Sequence, residues 1–168
     1  MNAMKLSNGS RPPFPAVADQ PALSGSVTAA FAMRLAGKKP VFTDDSTVKV
    51  FESALTAQAA QFGCETVVYV FMPDHCHVVL HGKSNKAQPL QAMKTFREVT
   101  HRWLQENHPD VKWSDPTQDH ILREDEDIST KVEDILNNPV RRGMVKHWRE
   151  YKFKGSTIYD LDSWLNPI

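Results

Sequence analysis

The chain has 168 residues, with 20 Lys+Arg against 20 Asp+Glu, seven His and two Cys. Its length suits one domain with a core of its own, and 40% apolar with 24% charged residues excludes wholesale disorder. No run approaches the ~18 apolar residues of a membrane helix, no basic-then-apolar export signal opens the chain, and Cys64 and Cys76 are too few for a disulfide framework. A cytoplasmic protein with no membrane partner is therefore expected.

Residues 1–25 read as a flexible tail, with Pro12, Pro13, Pro15 and Pro21 and no apolar period. The domain is expected over 26–165. A first strand runs from Val27 to Arg34, and Gly37-Lys38-Lys39-Pro40 makes a loop. Asp44 or Asp45 caps a helix whose buried stripe is Val48, Phe51, Leu55, Ala59 and Phe62, and Gly63 suits its stop. Residues 65–72 are β-branched and aromatic and read as a buried strand. Pro73-Asp74 interrupts it, and His75 to His81 resumes the pattern. Pro89 opens a second helix with Leu90, Met93, Phe96, Thr100 and either Trp103 or Leu104 on one side. A short strand, Asp119 to Leu122, follows an irregular piece around Trp113–Gln118. A third helix carries Ile128, Val132 and Ile135, and Asn138-Pro139 ends or kinks it, since a residue before proline avoids the α region. A further helical turn is expected between Val140 and Trp148. Strands alternating with helices in one unit indicate an α+β fold, a sheet with helices over one face.

The zero net charge hides an uneven distribution. Residues 119–134 hold seven acids against Arg123 and Lys131, and residues 141–154 hold six bases against Glu150. Binding to a phosphate backbone depends on local potential, so the second stretch is a candidate for it. It equally reads as a solvated surface facing its acidic neighbour.

The most informative segment is Phe71-Met-Pro-Asp-His-Cys-His-Val-Val-Leu-His-Gly82. Alternate residues of a strand share a face, so His75, His77 and His81 point one way and Cys76, Val78 and Leu80 the other. The second set can pack under helices while the first meets solvent or a ligand. Two imidazoles two residues apart can coordinate one metal ion, although the same spacing is also an ordinary surface feature.

Met72-Pro-Asp-His-Cys-His-Val-Val-Leu80 resembles the signature of the single-tyrosine HUH transposases, and the REP-associated tyrosine transposases look closest. Pro40-Val-Phe-Thr-Asp44, Met93-Lys-Thr-Phe-Arg97, Asp119-His-Ile-Leu-Arg123, Asn138-Pro-Val-Arg-Arg-Gly-Met-Val145 and Tyr151-Lys-Phe-Lys-Gly-Ser156 resemble further family blocks in the same order. The resemblance covers roughly 27–161. It implies a ferredoxin-like α+β fold, an antiparallel sheet with helices packed on one face and the His pair on a central strand. It also implies that His75 and His77, completed by Asn138, hold Mg2+ or Mn2+, and that the partner is single-stranded or hairpin DNA of the REP-like palindromic kind. In relatives a tyrosine on the third helix attacks the scissile phosphate and joins covalently to the 5′ end, with the metal as Lewis acid.

This chain departs from that pattern. Asp134 stands at the position of the family tyrosine, five residues before Pro139. A carboxylate attacking phosphorus would give an acyl phosphate, far more labile than a phosphotyrosine. Three readings stay open: cleavage is lost and DNA binding kept; a substitute such as Tyr69, Tyr151 or Tyr159, or a metal-bound water, does the chemistry; or Asp134 is itself a metal ligand in a repurposed site. Tyr151 also matches a tyrosine that relatives carry besides the nucleophile, and packing is its plainer role. His81 is expected at the surface and Cys76 in the core. Lys94, Arg97 and Arg102 of the second helix, with Arg141, Arg142 and Lys146, are the expected DNA contacts. Trp113 and Trp148, flanked by polar residues, are the tryptophans to test for base stacking, as against core packing. The sequence does not choose between a monomer and a homodimer.

Overall fold

The computed structural model describes residues 25–115, 117–122 and 126–163. The expected tail before Gly25, the acids Glu124 and Asp125 with Arg123, and the last residues Trp164 to Ile168 lie outside them, as does the side chain of Gln118.

The strands are β1 (Thr28–Arg34), β2 (Cys64–Met72), β3 (His75–Gly82), β4 (Gln118–Ile121) and the short β5 (Lys154–Gly155). The helices are α1 (Asp45–Gln61), α2 (Pro89–Asn107), α3 (Ile128–Leu136) and α4 (Asn138–Arg141). The sheet order is β4-β1-β3-β2-β5, antiparallel at every junction. The β1-α1-β2-β3-α2-β4 succession with the order 4-1-3-2 is the ferredoxin-like arrangement that the family resemblance implied. It puts β3 in the middle.

Local chemistry sets the element ends where expected. Asp44 caps α1, its carboxylate accepting from the Thr47 amide at 2.8 Å. Gly63, at φ +71°, turns the chain out of that helix into β2. The α3–α4 break falls at Asn137, and α4 closes through Gly143 at φ +71°. The expected turn between Val140 and Trp148 is corrected: α4 starts earlier, with Pro139 in its first turn, and only Trp148–Glu150 is helical beyond it, as a 3-10 turn. Proline is accommodated there because the first turn needs no amide donor.

Register assigns the faces of the sheet. Cys76 lies between Phe71 of β2 and Met33 of β1, and Val78 between Tyr69 and Phe31. On this face Phe42, Phe51, Phe71, Phe96 and Trp113 form one cluster of edge-on or tilted rings, with neighbouring centroids 4.7–6.4 Å apart. That aromatic cluster fixes α1 and α2 over it. His75, His77 and His81 occupy the opposite face, in register with Arg34, Ala32 and Thr28 of β1. There α3 packs against β2, burying Val132, Ile135 and Leu136, and its Lys131 and Asp134 act on His77.

Candidate functional site

The His pair sits where the β2–β3 hairpin closes, with His75 directly across from Met72 and His77 from Val70. The two-residue turn is held from outside: the Pro73 carbonyl accepts from the Val41 amide at 2.8 Å and the Asp74 carbonyl from the Leu35 amide at 2.8 Å. The rings stand nearly perpendicular, 87° apart with centroids at 5.1 Å. The Nδ1–H of His75 donates to Asp74 Oδ1 at 2.6 Å, leaving Nε2 as its lone-pair nitrogen. Burial lowers the His77 pKa to about 4, aided by His75, Arg34 and Lys131 and opposed by Asp134. It also lowers that of His75, against the pull of Asp74. Burial works to raise the Asp74 carboxyl, but the bond and charge of His75 outweigh it and the net shift is downward. Both rings are thus held neutral at neutral pH, the form that ligates metal.

Cations surround the pair. Arg34 is exposed at the end of β1, opposite His75, and its charge acts on both rings. Arg142 acts on His75 and Asp74, and Lys131 on His77. Arg141, by contrast, is engaged. It donates to Asp134 Oδ1 at 3.1 Å, to the Asp134 carbonyl at 2.9 Å and to Asn138 Oδ1 at 3.1 Å. The Asn138 Nδ2 donates to the Ile135 carbonyl at 3.1 Å, so both ends of this amide bond within the α3–α4 corner. Among the described residues no cluster of three or more His, Cys, Asp and Glu side chains is placed to hold a metal. His75 and His77 fit a divalent ion and would offer it two neutral nitrogen donors.

All three tyrosines of the chain are described, and each is packed. Tyr69 faces α1, away from the histidines, beside Phe71 and Glu52, and its pKa is pushed up to about 12, chiefly by burial. Tyr151 is buried and donates to the Phe71 carbonyl at 2.5 Å. Phe71 turns its amide toward Phe153, so this bond lies on the outer edge of β2, away from β3. Burial raises the Tyr151 hydroxyl to about 12, and Tyr159 is also buried with a raised pKa.

Several expectations are corrected. His81 is 1% exposed rather than at the surface: it lies between Thr28 of β1 and Glu65 of β2, and its Nδ1 meets Thr28 Oγ1 at 2.9 Å. Trp113 and Trp148 are each 4% exposed and cannot stack on a base; polar sequence neighbours were a poor guide to their burial. Trp113 donates Nε1–H to Thr100 at 3.0 Å, and Arg149 covers the Trp148 ring at 4.7 Å. The six expected basic contacts do not form one surface. Lys94 and Arg102 are exposed on α2, on the far side of the sheet, while Arg142 and Lys146 lie exposed after α3. Arg97 is tied to the loop before β4, donating to Ser114 O at 3.2 Å, Thr117 Oγ1 at 3.0 Å and Asp115 Oδ1 at 2.6 Å. Cys76 is buried as expected, its thiol pushed up to about 12. Three residues at the site, Asp74, Arg34 and Lys131, were not singled out beforehand. Asp74 stood in plain view between the turn proline and His75; Arg34 gave no signal without the register.

Residues 25–123 match the family described as transposase IS200 like. A Haemophilus influenzae protein assigned as a REP-associated tyrosine transposase is 27% identical over 137 residues, 71% of this chain and 78% of its own. The fold is similar to that of a REP-associated tyrosine transposase solved bound to a REP hairpin, with TM-score 0.72, 17% identity, and 90% of this chain and 88% of that one covered. It is also similar to a Deinococcus radiodurans protein assigned as a transposase, with TM-score 0.50, 16% identity, and 84% and 98% covered. With the matched region spanning β1 to β4 and including the His pair, the chain belongs to the IS200-like transposase family.

Proposed function

We propose that this protein binds single-stranded or hairpin DNA of the REP-like palindromic kind at the histidine face, and that it does so without forming a covalent tyrosine adduct. The observation carrying this reading is the constellation at β3: two neutral imidazoles ringed by Arg34, Lys131 and Arg142, with Asp134 where the family nucleophile would stand. The relative solved with a REP hairpin supports the choice of DNA. His75 and His77 would hold Mg2+ or Mn2+, which when bound supplies Lewis-acid polarisation of a phosphate. Arg34, Arg142 and Lys146 neutralise backbone charge, and burial keeps the imidazoles unprotonated. Asp134 contributes a negative charge that Arg141 compensates, and its carboxylate is bonded there rather than aimed at a phosphate. Tyr151 and Tyr159 are buried, and the half-buried Tyr69 faces α1 on the side of the sheet away from the pair, so none is a ready substitute. The proposed unit is the domain over 26–165, working in the cytoplasm; no described helix is long and apolar enough to cross a membrane.

Titrating the protein into labelled hairpin DNA with a single-stranded flank, across a salt series, tests the reading. The expected log–log slope is roughly 0.9 per phosphate neutralised. Absent or salt-insensitive binding overturns it.

A further inference from the structure

A side chain on a strand ordinarily cannot meet its immediate neighbour, because successive side chains leave on opposite faces. Asp74 reaches the ring of His75 only because it lies in the β2–β3 turn, whose two carbonyls are fixed by amides of Leu35, Val41 and Phe42 at 2.8–3.1 Å. The contact is short, 2.6 Å, and enclosed: the His75 side chain is 4% exposed and that of Asp74 22%. Water therefore has little opportunity to replace the carboxylate as the ring's acceptor. A carboxylate on one imidazole nitrogen fixes the tautomer and aims the other nitrogen, the arrangement commonly found behind metal-bound histidines.

We propose that Asp74 is a positioning residue for His75: it holds the ring as the Nδ1–H tautomer, so that Nε2 is the atom offered to a divalent cation beside His77. This rests on the metal-binding role given to the pair above. Asp74 does not itself ligate. The Arg142 charge also acts on the Asp74 carboxylate, as it does on His75. A cation bound at His75 would thus be backed by an anion behind the ring, in a site where Arg34 and Lys131 bring positive charge and Asp134 negative charge near the pair.

Nitrogen NMR of the metal-free, full-length protein reads the tautomer directly, and an Mn2+ titration followed by EPR reads affinity. In the wild type the His75 Nδ1 is expected protonated and Nε2 bare at neutral pH. Asp74→Ala should give a mixed tautomer and lower Mn2+ affinity by ~10–100-fold. Asp74→Asn keeps an acceptor without the charge and should recover the tautomer and part of the affinity; it also serves if the alanine protein fails to fold. A wild-type His75 protonated at Nε2, or an Asp74→Ala protein with unchanged tautomer and affinity, would overturn the proposal. A wild type with the expected tautomer that takes up no Mn2+ would sink the metal role of the pair while leaving Asp74 as the holder of the ring.

Discussion

Cys76, Val78 and Leu80 are wholly buried beneath α1 and α2, whereas one residue along the same strand His75, His77 and His81 face the side where α3 packs. The first face is closed by five aromatic rings in mutual contact and carries no charge at its centre. The second face places imidazoles next to small residues, Ala30 and Ala32, and leaves room at its rim for Arg34, Lys131 and Arg142. One strand thus divides the labour. Stability is concentrated on one side, and the groups that can hold a phosphate or a metal on the other. Changes on the two sides should therefore separate cleanly.

The largest effect is expected on the aromatic side. Phe51 is fully buried against five other aromatic rings, so Phe51→Ala should cost about 3–5 kcal/mol in urea unfolding. A loss below ~1 kcal/mol would mean the core does not rest on this cluster.

Acid should act through the histidine side. His77 and His81 have folded pKa values lowered by burial to about 4, against 6.5 when unfolded, so the unfolded chain binds more protons between those values. Stability should be flat above ~6.5 and fall as pH drops from there to ~4, at a limiting slope of about 1.4 kcal/mol per unit for each ring. His81→Gln should remove part of that slope. Stability independent of pH across the window would show that the rings are not held neutral. The same shift carries metal binding to more acid conditions than an ordinary histidine pair would allow.

DNA affinity gives a smaller, more selective contrast. Arg34→Ala and Arg142→Ala should each weaken hairpin binding uniformly across sequences and reduce the salt slope by about 1. Lys94→Ala and Arg102→Ala, on the α1/α2 side, should leave both nearly unchanged. Equal losses from both pairs would mean that DNA wraps the sheet and that the division of faces is not functional. Smallest should be Asp134→Asn. The Asp134–Arg141 pair is half-exposed, with side-chain exposures of 58% and 50%, so stability should change by less than ~1 kcal/mol. Removing the negative charge should nevertheless tighten DNA binding.

Much of this division was legible in the sequence, for identifiable reasons. Strand alternation sorted Cys76, Val78 and Leu80 from the histidines, and the three-and-four spacing of Val48, Phe51, Leu55 and Ala59 named the buried side of α1. The Met-Pro-Asp-His-Cys-His motif located the site. What alternation could not convey is how far each face is covered. His81 and His77 share a face, yet His81 is almost fully buried, with its ring against Thr28, while His77 is only partly buried. Nor does a sequence show which arginine is free. Arg97 and Arg141 show their carboxylate and carbonyl partners only in the fold, and Arg34 becomes interesting only once it pairs with His75 across the strands. Asp134 is the reverse case: its departure from the family pattern was visible at once, and only the fold supplied its partner.

The central claim is that the histidine face engages DNA without covalent cleavage. The direct measurement is a denaturing gel of labelled hairpin DNA incubated with the wild-type protein and Mn2+, under conditions where binding is complete. Intact DNA with no shifted band is the expected result. A protein–DNA adduct that survives denaturation would contradict it, since one of the three packed tyrosines would then have to reach the scissile phosphate.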